Sequence, residues 1–139
     1  MLQPLVHSKV TGAPSKAWVQ NVLRVLWVHL PSRLKGARRC AILFVGERRS
    51  QTLNKQYRGK DRPTDVLAFP GDKDSLGDIV ICVPQVRRQA HRFKISEKEE
   101  MARVLVHGVL HLLGYQHDVK ARANTMFALQ EKVVTSLEE

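Results

Sequence analysis

The segment SEKEEMARVLVHGVLHLL, residues 96–113, constrains the fold of this chain more than any other. Ser96 and Glu99 form the capping-box pattern S-x-x-E, which supplies partners for the exposed amides at the start of a helix. From Met101 to Leu113 the residues are apolar on nearly every side, so a helix made of them belongs inside a domain and not on its surface. This helix is therefore predicted to be the central element of the fold.

Strand-length and helix-length patterns occupy the rest of the chain. The predicted strands are LVHSKV at 5–10, CAILFVG at 40–46, Val66 to Phe69 and LGDIVICV at 76–83. Further helices are predicted from Ser15 to Pro31, over Ser50 to Tyr57, from Pro84 through Phe93, and over Ala121 to Leu137. With 139 residues and no dividing linker, these elements predict one α/β domain spanning residues 1–139, in which about four strands in a mixed sheet pack with four to five helices.

The charge of the chain favours a polyanionic partner. Lys and Arg number 23 against 13 Asp and Glu, which gives a formal net charge of +10. RNA or DNA is the first expectation for such a balance. An anionic membrane surface is the weaker alternative, because the basic residues are scattered among several segments and do not line one face of an amphipathic helix.

The expected location is the cytoplasm, with no membrane partner. The first ten residues hold no apolar run of signal-peptide length, and no segment approaches the roughly 20 apolar residues of a spanning helix. Cys40 and Cys82 lie within apolar strand-like runs, far from any C-x-x-C spacing. Both are expected to be buried, reduced thiols.

Three of the six histidines fall within HGVLHLLGYQHD, at His107, His111 and His117. In a helix, His107 and His111 are one turn apart on one face, with Cβ atoms about 5–6 Å apart. Gly114 lies where the helix can end in a left-handed residue, so the chain can turn back and bring His117 toward the same point. An almost wholly apolar helix offers few other partners for buried imidazoles, which cost about 1–3 kcal/mol each when unpaired. The spacing predicts a metal site for Zn²⁺, with nickel or copper as alternatives, and a fourth position for water.

The same spacing occurs in metzincin proteases, whose pattern H-E-x-x-H-x-x-G-x-x-H matches all three histidines and Gly114. Gly108 replaces the glutamate that takes a proton from the metal-bound water in those enzymes. This departure favours a different reaction on a similar metal scaffold. A metallopeptidase-like hydrolase is therefore the less favoured alternative.

The stretches HGVLHLLGYQH, YRGKDRPTDVLAFP and LGDIVI together closely resemble the YbeY family of endoribonucleases, over about residues 40–130. The resemblance implies an α/β fold, a metal held by three histidines, and a cleft that accepts single-stranded RNA. It also implies maturation of the 3′ end of small-subunit ribosomal RNA and ribosome quality control, so ribosomal RNA and the small ribosomal subunit are expected partners. By this resemblance the metal ligands are His107, His111 and His117, and Arg58 matches the arginine of the family's YR motif.

One departure from the family pattern concerns the residues around the third histidine. Gln116 stands where the family commonly has aspartate, and Asp118 follows His117 immediately. If that carboxylate orients a ligand or a water, its role is either lost here or taken over by Asp118.

Physical chemistry supports the same assignment for Arg58. Phosphodiester hydrolysis needs an activated water and compensation for the charge that builds on the phosphoryl oxygens, and a metal with an arginine provides both. A guanidinium holds two phosphate oxygens at once. A solvated loop arginine is the alternative interpretation.

Other polar residues have more ordinary expected roles. Thr64 and Asp65 are expected to cap turns, and Asp78 is an open candidate for contact with the metal site. Four basic runs are expected to contact phosphates without sequence choice, namely Arg38–Arg39, Arg48–Arg49, Lys55 to Arg62 and Arg87–Arg88.

The leading hypothesis is a metal-dependent endoribonuclease for single-stranded ribosomal RNA, with metal-bound water as the nucleophile. Arg58 and His107 are the predicted catalytic residues. The alternatives are the metallopeptidase-like hydrolase and an RNA- or ribosome-binding assembly factor whose metal is structural.

Overall fold

The sheet has four strands whose spatial order differs from their order in the chain. In the computed structural model, which describes residues 1–36, 38–115 and 120–137 apart from the side chains of residues 121 and 122, the strands are β1 (Leu2–Ser8), β2 (Arg38–Val45), β3 (Val66–Pro70) and β4 (Ser75–Cys82). Their spatial order is β1-β2-β4-β3. β1 and β4 flank β2 in parallel, and β3 lies antiparallel to β4 at one edge. The predicted mixed four-stranded sheet is confirmed.

Five α-helices accompany the sheet in the described residues: α1 (Lys16–His29), α2 (Glu47–Arg58), α3 (Val83–Phe93), α4 (Glu97–Leu112) and α5 (Lys120–Leu137). A 3-10 turn at Ser32–Leu34 follows α1. Each predicted strand and helix is present. Nowhere in the described part of the chain is a helix long and apolar enough to cross a membrane.

Two element boundaries differ from the predicted ones by three residues. β1 begins at Leu2, because parallel pairing with β2 starts at the Leu2–Arg38 pair. α2 begins at Glu47, directly after the extended Gly46. The carboxylate of Glu47 in the first turn favours this earlier start, since the amino end of a helix carries partial positive charge.

α4 is the central helix, as predicted. The Ser96 hydroxyl accepts a hydrogen bond of 3.1 Å from the Glu99 backbone N–H at its start. From Met101 to Leu110, every residue is buried except Arg103 and His107. α4 contacts β3, β4 and the helices α1, α3 and α5. The exceptions are therefore polar side chains on a helix that is otherwise enclosed by the domain.

The two faces of the sheet are covered unequally. One face packs against α1 and α4 through fully buried side chains, including Ile42, Phe44, Ile79 and Ile81. Each such side chain contributes about 1.5–3 kcal/mol by leaving water. On the opposite face α2 covers a smaller cluster that includes Val80 and Leu67. The uncovered part of that face is an open groove.

Cys40 and Cys82 are both buried and unpaired, as predicted. Burial, with a smaller contribution from the nearby Asp78 carboxylate, raises the pKa of the Cys40 thiol to about 12. This thiol is therefore protonated at neutral pH and poorly nucleophilic, since the thiolate is the reactive form.

Candidate active site

His107 and His111 lie one turn apart on the same face of α4. Their ring centroids are 5.1 Å apart and their planes are inclined at 78°. Both side chains are half-buried. Two imidazoles at this separation on one rigid helix can bind a single ion.

α4 ends in the hydrogen-bond arrangement of a Schellman motif. The Gly114 N–H donates to the His111 carbonyl at 3.1 Å, and the Tyr115 N–H donates to the Leu110 carbonyl at 3.0 Å. Gly114 has φ +103°, so the predicted left-handed residue at the helix end is confirmed. His117 lies outside the described residues, as do Gln116 and Asp118. Its part in a metal site therefore stays a prediction.

Arg58 is the last residue of α2, and Gly59 after it adopts the left-handed conformation with φ +71°. A cation is favoured at this end of a helix. Asp61, the nearest acid along the chain, pairs with Lys55 at 3.8 Å and accepts a hydrogen bond from Gln51. Within the described ranges no carboxylate forms an ion pair with Arg58, whose exposed guanidinium is available to an anionic ligand.

Arg58 and the two histidines line one cleft of about 560 Å³ beside the edge strand β3. We call this the histidine cleft. α4 contributes His107, Gly108 and His111, and α2 contributes Arg58 and Tyr57. Residues 64–69, which include all of β3 except Pro70, form the remaining wall. The structure thus brings together two sequence motifs that are far apart along the chain.

Asp65 also lines the histidine cleft, but its oxygens are already engaged. Its Oδ1 accepts from the Val66 N–H at 2.7 Å and its Oδ2 accepts from Gln89 Nε2 at 3.3 Å. The neighbouring Thr64 backbone exchanges hydrogen bonds with the Ser50 hydroxyl. These contacts agree with the predicted turn-capping role, and they fasten the cleft wall to α2 and α3.

Asp78 lies apart from the histidine cleft. It is exposed on β4 and lines a groove of about 530 Å³ on the opposite face of the sheet, with His7 and Arg49. We call this the sheet-face groove. Tyr57 and Phe69 line both spaces, and their rings meet edge to face with centroids 4.9 Å apart. Contact of Asp78 with the metal site is therefore not supported.

Gly108 lies where α4 approaches the sheet closely. A Cβ atom there would lie 3.2 Å from methyl carbons of both Ile79 and Val66. A side chain at this position would have to shift the side chains of Ile79 and Val66. The position that carries glutamate in the protease pattern is here a packing contact, which gives the departure a structural cause.

The basic runs differ in whether their side chains already form ion pairs within the protein. Arg87–Arg88 is engaged in ion pairs, with Glu97 at 3.1 Å and with Glu47, so its predicted role in phosphate contacts is weakened. No ion pair within the described residues involves Arg48–Arg49 or Arg58. These cations remain available for phosphate groups.

Gln130 of α5 is a polar neighbour of the site that the sequence pattern does not distinguish. It is 6% exposed, and its Oε1 lies 3.0 Å from Nδ1 of His107. The only signal in the sequence is a glutamine on the buried stripe of a helix, four residues after Met126 and three before Val133.

The donor chemistry of the site fits a divalent transition metal. Imidazole nitrogens suit zinc, nickel and copper, whereas magnesium and calcium prefer oxygen ligands. The two half-buried rings share one face of α4 and line a solvent-open cleft. His107 and His111 would hold the ion, with His117 as the predicted third ligand.

The fold and the cleft define a class, namely α/β proteins whose central helix carries paired histidines beside an arginine at the sheet edge. The family model described as "Endoribonuclease YbeY" matches residues 6–138. The chain belongs to the YbeY family, and the resemblance noted in the sequence is confirmed.

Similar proteins include the Endoribonuclease YbeY of a Sulfurihydrogenibium species, which is 42% identical over 104 residues, 70% of this chain and 68% of the relative. That of Bdellovibrio bacteriovorus is 35% identical over 133 residues, 91% of this chain and 89% of the relative. The solution structure of TM1509 from Thermotoga maritima superposes with a TM-score of 0.68 at 32% identity, covering 96% of this chain and 87% of that one.

Proposed function

We propose that this chain is a metal-dependent endoribonuclease that cuts single-stranded RNA. The observation that carries the proposal is that Arg58, His107 and His111 line one open cleft. The relatives named Endoribonuclease YbeY support RNA as the substrate. The net charge of +10 supports a polyanionic ligand.

The side chains of the cleft have distinct proposed roles. His107, His111 and His117 hold Zn²⁺ or another divalent transition metal. When bound, such an ion supplies an activated water and polarises a phosphoryl oxygen. Arg58 binds the scissile phosphate through two guanidinium nitrogens and offsets the negative charge that builds during hydrolysis.

The shape of the cleft favours a single strand. Tyr57 is 58% exposed and stands with Phe69 in the cleft wall, where unpaired bases can stack on aromatic rings. A flexible strand can also bring one phosphate between Arg58 and the histidines more readily than a stiff duplex. Stacking and phosphate contacts do not discriminate between bases, so the RNA site should depend on the accessibility of the strand.

The proposed biological substrate is ribosomal RNA in the small ribosomal subunit, at its 3′ end, with a role in ribosome quality control in the cytoplasm. This part of the proposal rests on the family resemblance and on the positive charge. The peptidase alternative has no matching support, because Gly108 supplies no base and packs against the sheet.

The test is to incubate metal-loaded protein with single-stranded RNA, duplex RNA and an unstructured polypeptide, each with and without a chelator. We expect cleavage of the single strand alone, lost with chelator and with His107→Ala. Arg33→Ala is the matched control, because it removes an exposed arginine outside the histidine cleft. It should cut RNA at the wild-type rate.

The same protein is then incubated with small subunits that carry precursor ribosomal RNA. Cutting near the 3′ end is expected from the wild type and not from His107→Ala. Cleavage of the polypeptide would establish the peptidase alternative. Tight binding to the particles with no cleavage of any substrate would favour the assembly factor with a structural metal.

A further inference from the structure

We propose that Gln130 is a positioning residue that fixes the tautomer and ring orientation of His107, and that Glu131 and Arg103 fix Gln130 in turn. The consequence for metal affinity rests on the proposed function, but the tautomer is a property of the metal-free protein. Hydrogen bonds link Arg103 to Glu131, Glu131 to Gln130 and Gln130 to His107.

The first step is the direction of the Gln130 side-chain amide. Its Nε2 lies 3.3 Å from Oε2 of Glu131. A carboxylate has only acceptor oxygens, so the NH₂ group of Gln130 must face it. The opposite orientation would place two oxygens against each other. The Oε1 of Gln130 therefore faces His107, at 3.0 Å from Nδ1.

The second step is the ionisation state of Glu131. Arg103 donates to both of its oxygens at 2.8 Å, from Nε and Nη2, in a two-pronged pair. This contact lowers the pKa of Glu131 and raises the pKa of Arg103. Glu131 is thus anionic at neutral pH and can only accept hydrogen bonds. Its carboxylate holds the Gln130 amide in one orientation.

The third step concerns the two nitrogens of His107. The Oε1 of Gln130 has no proton to give, so the hydrogen bond requires a proton on Nδ1. A neutral imidazole with its proton on Nδ1 has its lone pair on Nε2. Nε2 is then the atom of His107 that can bind a metal ion, and the ring is held in that state before the ion arrives.

Burial makes the contact strong enough for this role. Gln130 is 6% exposed, so water competes little for its hydrogen bond with His107, whereas the Arg103 and Glu131 side chains are 24% and 31% exposed. Arg103 also pairs with Glu99 at 3.1 Å and Glu100 at 3.2 Å, both in α4. The same charged group therefore ties α5 to α4 beside the site. Partners of this kind typically account for about 10–100-fold in metal affinity.

The tautomer is measured by long-range ¹H–¹⁵N NMR of the imidazoles in metal-free protein at a pH of about 8.5, where ordinary histidines are neutral. Wild type should show His107 protonated on Nδ1. Gln130→Leu removes the acceptor at similar size and should move the proton largely to Nε2. Gln130→Glu keeps an acceptor oxygen and should restore the Nδ1 form.

Two control variants, Asn54→Leu and Glu99→Gln, separate this effect from general loss of stability, and Glu131→Gln tests the support of the Gln130 amide. Asn54→Leu removes another buried amide, which donates to the Arg62 carbonyl and not to a histidine, and should leave the tautomer unchanged. Glu131→Gln should loosen the Gln130 amide and give a mixture of tautomers. Glu99→Gln removes a different partner of Arg103 and should give the wild-type spectrum.

The second readout is the dissociation constant for Zn²⁺, measured by competition with a chromophoric chelator. We expect Gln130→Leu to weaken binding about 10–100-fold and Gln130→Glu to recover most of it. An Nε2-protonated His107 in wild type, or an unchanged tautomer in Gln130→Leu, overturns the inference. Equal zinc affinity despite a changed tautomer overturns the positioning role. A wild type with the Nδ1 form that binds no zinc overturns the proposed metal site and leaves the tautomer assignment intact.

Discussion

The histidine cleft and the sheet-face groove are nearly equal in volume, about 560 and 530 Å³, and they share Tyr57 and Phe69 as a wall. Their polar groups differ. The cleft collects two imidazoles and an arginine that no described carboxylate pairs with. The groove mixes His7 and Arg49 with the exposed carboxylate of Asp78, which repels a polyanion.

Size alone therefore does not distinguish a site from an uncovered part of a sheet. The useful criterion is the convergence of chemically matched groups from distant segments on rigid elements. In the cleft, residues of α4 and of the end of α2 line one space beside the edge strand β3, and Gln130 of α5 makes a hydrogen bond with His107. In the described part of the chain, no polar side chain of the groove is held by a buried hydrogen-bond partner from another helix. The following experiments test that contrast.

The largest expected effect is the loss of metal from His111→Ala. Purified wild type should hold about one metal ion per chain, and the variant close to none, because one of the proposed ligands is gone. Elemental analysis of both proteins measures this. His7→Ala removes a histidine from the sheet-face groove and should leave the metal content at the wild-type level. Equal metal in the His111→Ala protein would contradict the assignment.

Arginine substitutions should separate catalysis from binding. Arg58→Ala should lower kcat for RNA cleavage about 10²–10³-fold with metal content and fold retained, because charge compensation at the phosphate is lost. Arg49→Ala in the groove should mainly raise KM and reduce the salt dependence of binding by about one phosphate contact. Steady-state kinetics at several salt concentrations measure both. A similar fall in kcat for the two variants would remove the distinction between cleft and groove.

Packing beneath the cleft is tested by restoring the protease glutamate. Gly108→Glu should destabilise the protein by about 1–3 kcal/mol, because the side chain would have to displace Ile79 and Val66. It should create no peptide cleavage. Gly46→Glu is the matched control, since a Cβ there meets nothing nearer than 4.0 Å. Denaturant unfolding measures the difference, and equal stability of the two variants would show that α4 can move off the sheet.

The smallest expected effect is on the free energy of unfolding and concerns the ion pair between Glu131 and Arg103. The folded-state pKa of Glu131 is lowered, chiefly by its hydrogen bond with Arg103. The pair therefore stabilises the fold fully above the ordinary glutamate value of about 4.5, and this contribution is lost as pH falls through the lowered folded pKa. Glu131→Gln should cost about 1 kcal/mol at pH 7, a modest figure because the side chain is partly exposed.

The difference between wild type and Glu131→Gln in the free energy of unfolding should shrink below pH 4.5. Asp78→Asn in the groove should change stability little at pH 7, since this exposed carboxylate forms no ion pair within the described ranges. Urea unfolding at a series of pH values measures both variants. A Glu131→Gln deficit that grows at acid pH would contradict the assigned sign.

Much of the fold follows from local patterns. The capping box at Ser96 and the apolar run after it determine that α4 is a buried central helix, because no surface position could hide apolar side chains on every side. The spacing of His107 and His111 likewise places them on one face, since helical geometry repeats every 3.6 residues. Gly114 ends the helix because a left-handed residue there costs glycine little.

Which distant residues lie together depends on how the helices pack on the sheet. The order β1-β2-β4-β3 puts the antiparallel β3 at the edge, so Arg58 and the two histidines line one cleft beside it, while Asp78 lines the groove on the other face. Gln130 reaches His107 because α5 packs on α4. Local patterns act through backbone geometry over a few residues. Contacts between separate elements depend instead on strand order and on which face each helix covers, and no short stretch of sequence encodes either.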